Sequence, residues 1–328
     1  MSATEQTHAT AHNEHAKGET SLFARFWRRR PGAGRIAQDR PHPIVVRPFT
    51  FDFPADLNPV WSPKRPVLSH MFNGFSLTMP YLEPYLIRTM REVTPQISEP
   101  GLLKDIRGFN GQEGRHFECH RRMNELLKSN GYPELAQVEN RLAASYARLG
   151  KRSLRTRLAY NAGFESMTNG FTNWFISKRR DLFGNACPYV ASFWIMHMIE
   201  EGEHKTVAFD AYKAYSGAYL PRVLGVLHGS FHVLGYGMVG MVCALRKDGT
   251  LYRPGTLLAI LRETSSLVWN VGPYLLRALV PGYDPRQEED PQWMRDWVAG
   301  YARLPAGAPL PLVDTANEDI PVPFPAAG

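Results

Sequence analysis

The sequence predicts an all-α protein, a four-helix bundle with a crossover helix and additional C-terminal apolar helices. Three observations predict it. First, Glu113-x-x-His116 and Glu201-x-x-His204 repeat one spacing on two long amphipathic segments, and residues three apart share a helix face. Second, the lone glutamates Glu83 and Glu165 alternate with them. The order Glu, E-x-x-H, Glu, E-x-x-H is the ligand pattern of bundles that hold two metals. Third, the turn signals fall midway. The midpoint of 83 and 113 is 98, within Ser98-Glu99-Pro100-Gly101, and that of 165 and 201 is 183, at Phe183-Gly184-Asn185. Residues equidistant from the turn of an antiparallel hairpin meet at one depth. At a rise of about 1.5 Å per residue, both hairpins set that depth more than about 20 Å from the turn.

Residues 1–40 read as a disordered basic tail. They carry His8, His12 and His15, then Arg25, Arg28, Arg29, Arg30 and Arg35. No apolar core of sufficient length makes them a secretory signal. Ser21–Arg30 fits a short basic amphipathic turn that touches anionic lipid. Residues 41–66 form a proline-rich extended lead-in, with a short strand expected at Ile44–Val46 and Trp61 expected to pack on the bundle.

The bundle spans 67–220. Its first helix is expected over 67–93, where Pro80 and Pro84 bracket Glu83 and invite a kink. The second runs over 101–130 and is stopped by Gly131-Tyr132-Pro133. An amphipathic helix over 134–149 carries no ligand and supplies the crossover that ferritin-like bundles need. Helices over 152–180 and 187–215 complete the set. Around Glu165, Asn161, Ala162, Thr168, Asn169 and Thr172 share its face, and such small or polar residues suggest a cavity.

Residues 221–281 read as an apolar helical pair. Val223–Leu245 is 23 residues without a charged side chain, long enough to span or enter a bilayer. Its Gly225-x-x-x-Gly229, with His228 and His232, fits packing on the bundle equally well. Residues 282–328 read as a short helix near 292–301 and a loose tail.

Composition bounds the function. At 328 residues and 44% hydrophobic content the chain buries a real core. Three widely spaced cysteines, Cys119, Cys187 and Cys243, fit a reducing compartment and not a disulfide scaffold. The expected location is cytoplasmic, with the apolar segment as the candidate for association with the inner face of the membrane. The net charge is +7, and part of the basic excess is local, in the arginine cluster near the N-terminus. With no aromatic-interleaved basic helix in the core, nucleic acid is not an expected partner.

Two further histidines extend the motifs. Glu113, His116 and His120 fall within a helical arc of about 60°, as do His197, Glu201 and His204. His197 is expected as an extra ligand and His120 as a group that orients ligands. Glu118, Glu200 and Glu203 fall off the ligand face and are expected to be solvated or paired.

Asn110–His120 (N-G-Q-E-G-R-H-F-E-C-H) and His197–Lys205 (H-M-I-E-E-G-E-H-K) resemble the bacterial family labelled "predicted metal-dependent hydrolase", over Val67–Tyr215. The arrangement is also similar to di-iron oxygenases and oxidases, whose N-oxygenating members carry an additional histidine where His197 would fit. The expected cofactor is two divalent metal ions, Fe first, with Mn or Zn as alternatives. The leading expectation is an O₂-activating oxygenase or oxidase acting on an apolar or amphipathic, lipid-like small molecule. The alternatives are a two-metal-ion hydrolase and a non-catalytic ferroxidase or iron-binding protein.

Overall fold

The computed structural model describes residues 43–49, 51–305 and 307–325. The expectations for the basic tail, its histidines and Ser21–Arg30 lie outside them. The described residues form an all-helical bundle. Its helices are α1 (Pro66–Ser76), α2 (Met79–Val93), α3 (Pro100–Ser129), α4 (Leu135–Leu149), α5 (Leu154–Ser177), α6 (Arg179–Phe183), α7 (Pro188–His204), α8 (Val207–Tyr215), α9 (Tyr219–Lys247), α10 (Pro254–Leu279) and α11 (Gln292–Tyr301). No strand occurs among the described residues, so the short strand expected at Ile44–Val46 is not formed.

Helix starts follow local chemistry. Pro100 opens α3 with its missing N–H at a position that needs none. The Glu99 side chain accepts from the Gly101 and Leu102 amides. Ser153 caps α5 by accepting from the Thr156 amide. The turn before α7 needs a left-handed residue, and Asn185 supplies it with φ 58°.

Two expected helices are each divided. The helix expected over 67–93 breaks between Ser76 and Met79. The kink therefore precedes Pro80 and does not bracket Glu83. Pro80 sits in the first turn of α2, where its missing donor costs little, and the helix continues through Pro84. The helix expected over 187–215 stops at His204 and resumes at Val207. At the break Lys205 is buried and donates to Asp290 at 2.8 Å.

Helices α2, α3, α5 and α7 surround the center, and α4 is the crossover. The long apolar helix α9 lies against α5 and α1. Its glycines permit this. A Cβ on Gly163 of α5 would sit 2.2 Å from Gly225 of α9. The histidines of α9 are also used for packing: His232 hydrogen-bonds Ser145 and Tyr160 at 2.9 and 2.8 Å. Among the described helices α9 is long and apolar enough to cross a membrane.

The tail is not loose along its whole length. Val313, Ile320 and Phe324 are buried, and the Val313 amide donates to Ser192 at the start of α7. Removing these side chains from water holds the segment down. Trp61 is buried against Phe72 and Phe183, as expected from the sequence.

Candidate metal centre

The candidate ligands come from the inward faces of four helices. Glu83 comes from α2, Glu113 and His116 from α3, Glu165 from α5, and His197, Glu201 and His204 from α7. All seven are buried. They form two groups, Glu83 with His116 and His197, and Glu113 with Glu165, Glu201 and His204. Within each group the ligand atoms lie within 4.8 Å of one another.

Two carboxylates lie between the groups. Glu201 Oε1 is 3.0 Å from His197 Nε2 and 3.7 Å from His116 Nδ1, while its Oε2 is 3.2 Å from His204 Nε2. Glu113 Oε1 is 3.3 Å from His204 Nε2 and 4.0 Å from His116 Nδ1. Helical rise explains the division along α7. His197 and His204 are seven residues apart, about 10 Å along the axis, with Glu201 between them.

The donor set fits divalent cations. Both carboxylate oxygens of Glu83, Glu113 and Glu165, and Nδ1 of His116, are buried without a hydrogen-bond partner. Buried polar atoms are rarely left so. Burial, reinforced by Glu201 and the other carboxylates, pushes the Glu83 and Glu113 carboxyls well above the usual range. Burial first, then Glu201, pushes Glu165 up to about 8. Burial also pushes His116 down to about 3 and His197 to about 4, leaving neutral imidazoles. Only the tight pair departs from this pattern. Burial alone would raise Glu201 and lower His204, but their mutual attraction reverses both shifts. Carboxylates converging on neutral imidazole nitrogens can be relieved by cations bound between them.

Hydrogen bonds behind the ligands fix which histidine nitrogen faces the center. Asn124 Nδ2 donates to the Ser76 carbonyl at 3.0 Å, so its Oδ1 accepts from the Ser76 hydroxyl at 2.7 Å. Ser76 Oγ, its proton used, accepts from His120 Nδ1 at 2.8 Å. Neutral His120 then accepts at Nε2 from His197 Nδ1–H at 2.9 Å. This leaves the His197 Nε2 lone pair facing Glu201 and Glu83. His120 thus orients His197 and has both ring nitrogens occupied.

The other two histidines share an anchor. His116 Nε2–H donates to Glu200 Oε2 at 2.9 Å, and His204 Nδ1–H donates to Gln112 Oε1 at 2.9 Å. Gln112 Nε2 donates to Glu203 Oε2 at 2.8 Å. Arg47 closes both chains, bonding Glu200 at 2.8 Å and Glu203 in two-pronged fashion. Burial works against the Arg47 charge, but Glu203 and Glu200 outweigh it and raise its pKa. The guanidinium also lies over the Tyr301 and Trp297 rings, 4.6 and 5.1 Å from their centroids. Gly108 and Gly111 let the lead-in approach α3, because a Cβ on either would meet Ile44 or Val46 at 2.6 Å.

Sequence reasoning missed Arg47 and Gln112 and understated Glu200 and Glu203. These glutamates are paired, but deep in the interior; Glu118, by contrast, is exposed. A usable signal was present: α7 is buried on every side from Val190 onward, so each of its charges must have an internal partner.

The cavity expected beside the site is lined mostly by apolar residues. A narrow space beside Glu201 and His197 is lined by Phe75, Met79, Phe164, Met167, Phe171 and Trp194, among others. Of the small and polar residues on the Glu165 face, Thr168 lines it. Several of the others bond backbone instead: Asn169 and Thr168 to the Glu165 carbonyl, Thr172 to the Met198 carbonyl and Asn161 to the Leu86 carbonyl.

No curated protein and no solved structure matches the chain. A family model described as "predicted metal-dependent hydrolase" matches residues 45–289. That span begins at the lead-in carrying Arg47 and takes in the buried carboxylates and histidines on all four helices. The chain belongs to the predicted metal-dependent hydrolase family.

Proposed function

We propose that this chain is a two-metal-ion hydrolase acting on a substrate with an apolar portion. One observation carries the metal reading: six carboxylate oxygens and one imidazole nitrogen, all buried, converge without hydrogen-bond partners. Glu83, His116 and His197 would hold one cation; Glu165 and His204 would hold the other, with Glu113 and Glu201 between them. Bound there, two divalent cations would supply Lewis acidity toward a carbonyl or phosphoryl oxygen and acidify a water molecule.

The protein's own contribution is positioning and exclusion. Glu200 holds the proton on His116 Nε2, Gln112 holds that on His204 Nδ1, and His120 holds that on His197 Nδ1. Each ring is thereby fixed in orientation and tautomer. The Phe- and Met-lined space, about 30 Å³, excludes bulk water and keeps the surroundings of Glu201 apolar. Trp194 forms part of its wall.

A second reading is O₂ activation by iron at the same residues. The apolar cavity favors it, because an apolar gas partitions into such a space. The test is reconstitution of metal-free protein with Zn(II), Mn(II) or Fe(II), metal counting, and assay on ester and phosphoester panels with and without O₂. Two metals per chain with O₂-independent hydrolysis is the expected result. Turnover only with Fe(II) and O₂ would replace the hydrolase with the second reading. No stoichiometric metal would refute both.

A further inference from the structure

The face formed by α9 and α10 turns a large apolar surface outward. Leu224, Leu227 and Phe231 of α9 are exposed, as are Leu258, Leu261, Val268, Trp269 and Leu276 of α10. Trp269 is 83% exposed, Leu258 68% and Phe231 67%. Several of these are neighbors in space: Leu227, Phe231 and Leu234 share one groove with Val268, Trp269, Gly272 and Leu276. A contiguous apolar surface of this kind marks an interaction site.

Charge decides between the occupants. Residues 219–280 contain six basic and two acidic residues. Both acids are engaged in the protein: Asp248 bonds His70 and Tyr132, and Glu263 is buried against Arg65 and Arg262. Among the bases Arg222 is buried, Lys247 and Arg277 are exposed but pair with Glu134 and Glu288, and Arg246, Arg253 and Arg262 are exposed, Arg262 sharing Glu263 with Arg65. The surface is therefore apolar with a cationic rim. Against a second copy of itself it would set arginine near arginine. Against an anionic bilayer the apolar residues enter the acyl region while the arginines meet phosphate.

We propose that the α9–α10 face is a monotopic membrane-docking surface for anionic lipid. Neither helix crosses the bilayer. The inner face of α9 is committed to the bundle, since Gly225, Gly229 and Gly237 meet α5 and α1 at distances that leave no room for lipid. Trp269 and Tyr252 are exposed, and both are residue types that favor the headgroup region. Docking would also bring lipid-soluble molecules near the metal centre. Leu234 lines the outer groove, and its neighbor Val233 lines the cavity beside Glu201.

The test uses the full chain with vesicles of phosphatidylcholine alone or mixed with phosphatidylglycerol. Co-sedimentation with the mixed vesicles is expected, weakening with salt. The exposed-site double variant Phe231→Ser/Trp269→Ser should lose at least ten-fold in binding, and Leu258→Ser should weaken it independently. Arg253→Gln and Arg262→Gln should each cost about five-fold on mixed vesicles and little on phosphatidylcholine. Circular dichroism and metal content of each variant separate loss of docking from loss of fold or of the metal centre. Absence of vesicle binding, or binding indifferent to these changes, would overturn the proposal. So would a dimer in solution that the same variants dissociate, because the groove would then be a self-association surface.

Discussion

Removing the Arg47 guanidinium tests the architecture behind the metal centre. Arg47→Met keeps an apolar stem of similar length and strands Glu200 and Glu203, both fully buried. Removing one partner from a buried ion pair costs about 3–5 kcal/mol, because the remaining charge has no compensation. At about 2–4 °C per kcal/mol in a domain of this size, the melting midpoint should fall by roughly 10 °C. Metal affinity should fall as well, by about 10- to 100-fold, since Glu200 and Gln112 would hold His116 and His204 less firmly. Two further variants separate these effects. Arg47→Lys retains the charge but not the planar fork that reaches both carboxylates, so it should be intermediate. Arg47→Met with Glu200→Gln and Glu203→Gln removes the stranded charges, so it should recover most of the stability and little of the metal affinity. Scanning calorimetry and competitive metal titration measure both quantities. An Arg47→Met protein with unchanged midpoint and unchanged affinity would refute the reasoning.

The relay behind His197 predicts that Asn124→Leu or Ser76→Ala weakens metal binding about 10- to 100-fold at one of two sites; equal loss at both would contradict it. The metal-free protein should lose stability as pH rises toward 8. Glu165 has a folded-state pKa near 8 against an ordinary 4.5, so its contribution is full below about 4.5 and lost as pH rises through the folded value. The depressed His116 and His197 act in the opposite sense, losing stability as pH falls from about 6.5 through their values of about 3 and 4. A midpoint maximum on the acidic side of neutrality is expected, and Glu165→Gln should flatten its alkaline side; melting curves across pH decide. Gly163→Ala would place a methyl carbon 2.2 Å from the Gly225 backbone. It should cost at least about 1–3 kcal/mol in denaturant unfolding, and a neutral result would mean that α9 is held less closely than described.

Local patterns along the chain account for the helices and for the shared depth of their ligands. Doubled E-x-x-H spacing and two equidistant turns are local, periodic facts, and helix geometry converts them directly into shared faces and equal depths. The same kind of periodicity placed α11 at its observed bounds, and Glu83, Glu113, His116, Glu165, Glu201 and His204 lie in two adjoining groups. Tertiary structure decided what sits behind the ligands. Arg47 reaches Glu200 and Glu203 across more than 150 positions of chain, and no helical period encodes that meeting. It also decided how the ligands divide, because only packing shows that His197 faces His116 while Glu113 and Glu201 lie between the groups. The same holds for α9, whose length and composition suit either a membrane span or a core helix. Close approach of its glycines to α5 and α1 assigns one face to the bundle, and burial, which belongs to the assembled fold, leaves the other face to solvent or lipid.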